Sequence, residues 1–370
     1  MNLEYDKFIK LKSESGLHSP SIFEIQKYFE LDINVDACFL CNPYAFDLFM
    51  KYYRQTNLVD YIKYYPPQNK VLSNLLSKTL NINSDYLMIG NGAIQMIELI
   101  LREFEGKRKC IISPTFSSYY EFDFDNILFY KTHKEDNFNV NTDQLISFCT
   151  HHDIELLVIV NPNNPTGNVI SKKDIKHIVK SLKKTTIIVD ESFIDFYDKK
   201  QSVEQDVYNN MNLIVIRSLS KDFGIAGLRL GYAVANPKFN KSIFSKYGLC
   251  WNINGIAHFF LELMSNTNFI AEYKTAREKY LDDRDIFYNK LLSLKNLKVY
   301  PSRANFFIID CGINVYDIFA HLLFEKGIYT RLLNDKLDLD DTFLRIACNT
   351  NKDNDIVFSA LKEIDEKIIL

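Results

Sequence analysis

"NLIVIRSLSKDFGIAGLRLGYAVA", residues 212–235, runs from a β-branched apolar stretch into one lysine, Lys221, flanked by Ser218 and Ser220. A glycine-spaced run follows, with Arg229 eight residues beyond the lysine. The opening "NLIVIRS" has the composition of a strand buried on both faces. "KCIISP", "ELLVIV" and "TTIIVD" upstream read the same way, and helical periods such as "SKKDIKHIVKSL" separate them. In "AIQMIELILREF" the side chains Ile94, Ile97, Leu101 and Phe104 share a helix face. Strand and helix in alternation predict an α/β fold with a mostly parallel sheet.

Beyond about residue 240 the pattern changes. One long helical period, "NFIAEYKTAREKYLDDRDIFYNKLLSL", leads to short strands in "KVYPSRANFFIID". A helix ended by Gly327 and a closing amphipathic helix follow. The expected division is a large α/β domain over 45–240 and a smaller α+β domain built from 1–44 with 241–370.

The 370 residues are 47% hydrophobic and 25% charged, enough apolar material for two such cores. A formal net charge of −3 gives no basic field for nucleic acid or an anionic membrane. Seven cysteines are scattered, and the lone CxxC at Cys38 and Cys41 has no second pair or histidine at zinc spacing, so no metal site is expected. The charged start "MNLEYDKFIK" lacks the apolar core of a signal peptide, and no stretch reaches the length of a membrane span. The expectation is a cytoplasmic, soluble protein.

Half of the twelve glycines fall in three places: "GNG" at 90–92, "NPNNPTG" ending at Gly167, and the run 224–231. Such clustering points to close backbone approach to something. The chemical residues follow apolar strands, and in an open α/β sheet the loops at the carboxyl edge hold the ligand. "IGNGAIQMIEL" is a strand, a tight turn and a helix start, whose free N–H groups suit an anion. It is neither a dinucleotide fingerprint, since Gln95 stands where the third glycine belongs, nor a P-loop. A plain strand-to-helix turn is the more common explanation of such a stretch.

"LLVIVNPNNPTG" stacks three amides, Asn161, Asn163 and Asn164, at a strand end, where a turn alone would also suffice. Asp190 sits where "TTIIVD" meets its loop. It is either a helix cap or the partner of a cation, such as a protonated pyridine nitrogen. Lys221 in such a pocket would have its amine pKa lowered by desolvation, and Ser218 and Arg229 could grip a phosphate. The "DFG" at 222–224 lacks the other kinase loops.

Taken together, the Asn-Pro-Thr-Gly, the aspartate, and Ser-x-x-Lys with arginine eight residues on resemble the class I/II aminotransferases, fold type I enzymes dependent on pyridoxal 5′-phosphate (PLP). The resemblance runs from about residue 40 to the C-terminus. It implies Lys221 as the Schiff-base lysine, Asp190 as the pyridinium partner and Asn164 against the ring hydroxyl. Gly92, Ala93, Ser218 and Arg229 would hold the cofactor phosphate. Phe116 would stack on the ring, and Tyr65 of "YYPP" would come from a neighbouring subunit, implying a homodimer.

Within the superfamily, "GNGA", "ANFF" and the pair Arg331 and Arg345 are similar to the branch of histidinol-phosphate aminotransferase and threonine-phosphate decarboxylase. That branch implies a small phosphorylated substrate, with Arg345 on its carboxylate or phosphate, Arg331 on a phosphate, and His18 near the site. One departure stands out: Phe193 occupies the place of a tyrosine usual in aminotransferases. The leading expectation is an aminotransferase taking an amino group from glutamate or alanine to a phosphorylated ketone of the dihydroxyacetone phosphate or imidazole acetol phosphate type. The alternative is a decarboxylase of phosphoserine or phosphothreonine. A binding protein without catalysis is disfavoured by the complete lysine, aspartate and arginine set.

Overall fold

The computed structural model describes residues 3–16 and 18–368. The chain forms two compact units. The larger takes Cys41–Asn164 and Asn168–Lys279; the smaller takes the chain up to Leu40, the short stretch Pro165–Gly167, and the chain from Tyr280.

Seven strands make the sheet of the larger unit: β1 (Leu87–Asn91), β2 (Lys109–Ser113), β3 (Ile127–Lys131), β4 (Leu156–Val160), β5 (Thr186–Asp190), β6 (Leu213–Ser218) and β7 (Leu230–Val234). Their order across the sheet is β1-β7-β6-β5-β4-β2-β3. The run from β6 to β3 is parallel, and its inner strands are covered on both faces, which is why they are almost wholly apolar. β3 is the half-buried edge, so its "ILFYK" carries a weaker signal.

β7 runs antiparallel to both neighbours. The connection from Ser218 to Leu230 holds only two short helical turns, too little for a parallel crossover, so the chain doubles back. Ser218 and Gly90 both pair with Gly231, and Asp190 pairs with Val160 and Ile216. The register thus brings the ends of β4, β5 and β6 to one edge beside the N-terminus of the helix Gly92–Glu103.

The units do not divide where the sequence suggests. The helix Gly255–Leu263 buries Ala257, Phe260 and Leu261 in the same core as Leu157, Val189 and Val215, so residues up to Lys279 belong to the larger unit. The change of pattern near 240 marks the end of the sheet's strands and leaves the helices of its core still to come.

In the smaller unit four antiparallel strands, β8 (Lys298–Val299), β9 (Phe306–Asp310), β10 (Arg331–Leu332) and β11 (Phe343–Ala347), lie in the order β10-β11-β9-β8. Val35–Asp36 pairs in parallel with Ile328–Tyr329, tying the N-terminal segment to this unit. Asn349 donates to the carbonyl of Asp36 at 2.7 Å. Among the described residues no helix is long and apolar enough to cross a membrane.

Candidate active site

The helix Gly92–Glu103 begins at a glycine with φ +78°, and Asn91 at its N-cap makes no side-chain capping bond. A Cβ on Gly92 would stand 2.6 Å from an Nη of Arg229, so that guanidinium lies directly over the helix start. Arg229 itself has φ +54°, a backbone state that costs an L-residue energy and fixes where the side chain leaves the chain. Gly231 is a glycine for a related reason: a Cβ there would collide with the backbone nitrogen of Ala93. Ser218, opposite Gly231 in the ladder, lies in one row with Gly92, Ala93 and Arg229. First-turn N–H groups, a hydroxyl and a guanidinium form a donor set suited to a phosphate.

Asp190 ends β5 and is 3% exposed. One carboxylate oxygen accepts from the Tyr119 hydroxyl at 2.8 Å, and the other from the backbone N–H of Ser192 at 2.9 Å. Burial pushes its pKa up; the hydrogen bonds from Ser192 and Tyr119 oppose that and favour the ionised form. The two hydrogen-bond donors named here are neutral, so a cation at this carboxylate would relieve the cost of burying it.

Of the three stacked amides, two tie the loop itself. Asn161 exchanges hydrogen bonds with the backbone of Ile170, at 2.8 and 3.0 Å. Asn163 accepts from Thr115 at 2.6 Å and donates to the Pro114 carbonyl at 2.8 Å. Asn164 is buried. Lys221 sits half-buried in the turn Leu219–Asp222 directly after β6. Ser220 ties that turn to β7 by bonding the backbone of Leu230, and the Lys221 carbonyl accepts from Asn42 at 3.0 Å. The two serines around Lys221 therefore differ: Ser218 lies in the row beside the helix start, and Ser220 is structural. Phe116 is half-buried, edge-on to Tyr119. Tyr65 is 80% exposed, with its ring against that of Trp251 at 4.8 Å.

The opposite face of the same strand ends carries a charge network. Arg217 meets Asp195 at 2.6 Å, Glu191 at 3.4 Å and Glu204 at 3.5 Å. Successive side chains on a strand point to opposite faces, so Arg217 and Glu191 back the row formed by Ser218 and Asp190. Ser202 and the Val203 N–H also donate to Glu191. Asp222, next to Lys221, is buried with neither oxygen hydrogen-bonded among the described residues; burial and the nearby Asp195 charge push its pKa up to about 7.

In the smaller unit Arg331 and Arg345 are register partners on β10 and β11, both buried. Arg331 donates to Asp335 at 2.6 Å and to the Leu332 carbonyl. Arg345 donates to the Cys38 carbonyl at 2.7 Å and lies over the Phe306 ring; burial lowers its pKa to about 10. His18 is exposed, in the loop before the helix Ile22–Phe29.

The profile of the family "Aminotransferase class I and II" matches residues 55–361. The chain belongs to that family. An L-serine phosphate decarboxylase of Campylobacter jejuni is 38% identical over 375 residues, 97% of this chain and 96% of that protein. The solved structure of a decarboxylase from Sulfurospirillum multivorans superposes with a TM-score of 0.91 at 34% identity, covering 99% of this chain and 97% of that one. A histidinol-phosphate aminotransferase of Methanocaldococcus jannaschii is 28% identical over 319 residues, 83% of each chain.

Family membership makes this a fold type I, PLP-dependent enzyme, and the local architecture fits that cofactor. The glycine-lined cradle under Arg229 matches a phosphate, and the buried Asp190 matches a protonated ring nitrogen. The resemblance inferred from the motifs therefore holds at the level of family, fold and cofactor. At the level of branch, two L-serine phosphate decarboxylases match 97–98% of the chain in sequence at 35–38% identity, and two histidinol-phosphate aminotransferases match 81–83% at 28–29%.

Sequence reasoning missed Tyr119 and the Arg217 network. Tyr119 lies in the quoted "SPTFSSYY", but only the fold places its hydroxyl on Asp190. The network had a visible signal, because charged residues flank Asp190 and Ser218 on two otherwise apolar strands.

Proposed function

We propose that the enzyme is a PLP-dependent decarboxylase of a small phosphorylated amino acid, L-serine phosphate first among candidates. The observation that carries this reading is the end-to-end likeness to L-serine phosphate decarboxylases. Phe193, buried where aminotransferases usually present a tyrosine, agrees with it. The alternative weighed from the sequence is thus better supported than the aminotransferase first expected, with its glutamate or alanine donor.

Bound PLP supplies an electron sink for the charge left at the substrate's Cα. The residues of the chain supply the rest. Gly92 and Ala93 N–H groups, Ser218 and Arg229 would grip the cofactor phosphate, and Asn164 would face its 3-hydroxyl. Asp190 would hold a proton on the ring nitrogen, aided by Tyr119. Phe116 would pack against the ring. Arg345 and Arg331 would take the substrate's carboxylate and phosphate, fixing which bond at Cα stands upright. When the Cα–carboxylate bond breaks, carbon dioxide leaves and its electron pair stays at Cα. The Lys221 ammonium, or water, then delivers a proton there, giving ethanolamine phosphate from L-serine phosphate.

A second copy would lend its Tyr65, whose exposed ring has Ile62, Tyr64 and Trp251 as exposed apolar company. A homodimer follows from that assignment, with sedimentation as its check. The decisive experiment gives the purified holoenzyme L-serine phosphate and measures carbon dioxide and ethanolamine phosphate. Glutamate alone is added in parallel while the cofactor's visible absorbance is followed. Continuing gas release with no change on glutamate is the expected result. Conversion of the absorbance by glutamate, without gas from the phosphorylated amino acid, would restore the aminotransferase reading.

A further inference from the structure

β1 is the last strand on its side of the sheet, so its outer edge has no strand to pair with among the described residues. Side chains take the outward backbone groups of its alternate residues Leu87, Ile89 and Asn91. The Ser73 hydroxyl donates to the Leu87 carbonyl at 3.2 Å. The Asn69 amide donates to the Ile89 carbonyl at 2.6 Å and accepts from the Ile89 N–H at 3.3 Å, as a neighbouring strand would. Asn252 donates to that same carbonyl at 2.8 Å, and Gln95 accepts from the Asn91 N–H at 2.7 Å. A further bond from Asn252 to Gln95 Oε1, at 3.0 Å, joins the last two rungs. A backbone carbonyl demands a donor and a backbone N–H an acceptor, so the orientation of each amide is fixed.

Cover for an open edge accounts for Ser73 and Asn69. Gln95 and Asn252 do more, because Asn91 stands directly before Gly92, where the helix starts under Arg229. Asn91 makes no side-chain capping bond, so the direction of the helix start is left to its backbone, with Gly92 at φ +78°. Gln95 reaches back from within the same helix and holds that backbone by the N–H of the N-cap residue. Asn252 holds Gln95 from outside the helix. Its own segment is anchored at the next two residues. Ile253 is 4% exposed in the core, and Asn254 donates at 2.9 Å to the carbonyl of Leu228, the residue before Arg229. One short segment thus touches the chain on both sides of the cradle.

We infer that Asn252, acting through Gln95, is a positioning residue for the cofactor phosphate: the pair sets where the N–H groups of Gly92 and Ala93 point. The inference rests on the reading that Gly92, Ala93, Ser218 and Arg229 grip that phosphate. Loss of one such hydrogen bond predicts roughly threefold to tenfold weaker PLP binding. Asn252 and Gln95 act through one shared bond, so losing both should weaken binding little more than losing one.

The test titrates PLP into the full-length apoenzyme by absorbance. The ³¹P resonance of the bound cofactor and the melting temperature of the apoenzyme are read beside it. The variants are Asn252→Ala, Gln95→Met, the two combined, Ser73→Ala and Arg229→Met. The dissociation constant should rise about threefold to tenfold in each amide variant, and no more than about twofold further in the pair, with the ³¹P resonance displaced. Ser73→Ala removes a bond from the same strand edge. It should leave the dissociation constant within about twofold and the resonance in place, even where the melting temperature falls. Unchanged PLP binding and resonance in both amide variants, or an equal loss in Ser73→Ala, would reduce the ladder to edge cover and overturn the inference. Arg229→Met separates this from the reading beneath it. Weaker binding there, beside none in the amide variants, overturns the role of Asn252 and keeps the phosphate cradle. Weaker binding in the amide variants alone keeps Asn252 and Gln95 as positioning residues and removes Arg229 from the cradle. Failure of both amide variants to fold while Ser73→Ala folds would assign the pair to structure and also overturn the inference.

Discussion

Replacing Arg217 by methionine should destabilise the larger unit strongly, and more at pH 8 than at pH 5. The guanidinium sits within 3.5 Å of Asp195, Glu191 and Glu204, and Glu191 is fully buried. Methionine fills similar volume but leaves the carboxylates without their shared cation, and breaking a buried pair from one side costs about 3–5 kcal/mol. The pH dependence follows from two opposed shifts. Burial works to raise the Asp195 pKa, yet the charges of Arg217 and Lys199 outweigh it and hold the group well below its ordinary value. A lowered carboxyl stabilises the fold above its unfolded pKa, and that contribution is lost as pH falls. Glu191 behaves the other way: burial pushes it up to about 7 although Arg217 opposes the rise. The folded state then keeps a proton that the unfolded chain releases, so stability falls as pH climbs from about 4.5 toward 7. Without Arg217, Asp195 loses its stabilising term and Glu191 climbs further, and both effects are fully expressed at pH 8. Urea unfolding followed by the fluorescence of Trp251, the single tryptophan and a residue of the larger unit, reports the change. At an m-value near 3 kcal/mol/M the midpoint should drop by about 1 M or more at pH 8. A loss under about 1 kcal/mol, or a larger loss at pH 5 than at pH 8, would refute the reasoning.

Gly92→Ala and Gly231→Ala should separate cofactor affinity from stability. At Gly92 the intruding Cβ meets the movable end of Arg229, and φ +78° costs the alanine about 1 kcal/mol, so PLP affinity by absorbance titration should fall roughly tenfold with the fold kept. At Gly231 it meets the backbone of Ala93, which cannot yield, and thermal stability should drop by about 1–3 kcal/mol. Tyr119→Phe removes one of the donors to Asp190, letting burial push the carboxyl further up. The acid limb of the activity profile should move to higher pH, and kcat should fall roughly tenfold. Lys221→Ala should abolish turnover and the visible absorbance of the bound cofactor; normal activity in that variant would end the assignment.

The apolar runs of β2, β4, β5 and β6 announced a buried parallel sheet because a strand covered on both faces has no polar side to show. Asp190, Ser218, Lys221 and Arg229 were legible for a similar reason. Asp190 and Ser218 end such a run, Lys221 stands three residues beyond one, and Arg229 directly precedes one, where an accidental polar residue has little room. The antiparallel course of β7 was hidden, since pairing direction depends on the length of a connection and on what the chain can reach. The placing of Gly255–Leu263 in the larger core was hidden too, because periodicity reports that a helix has an apolar face and not which sheet it covers. Tyr119 on Asp190, the three carboxylates around Arg217, and the bond of Asn252 to Gln95 beside β1 join residues far apart in the chain. The motifs along the chain were enough for the family and the cofactor, and they put the candidate site residues at the strand ends. Only the folded chain decided which distant charges share a carboxylate, since Coulomb energy and desolvation depend on distance and burial and neither is written along the chain.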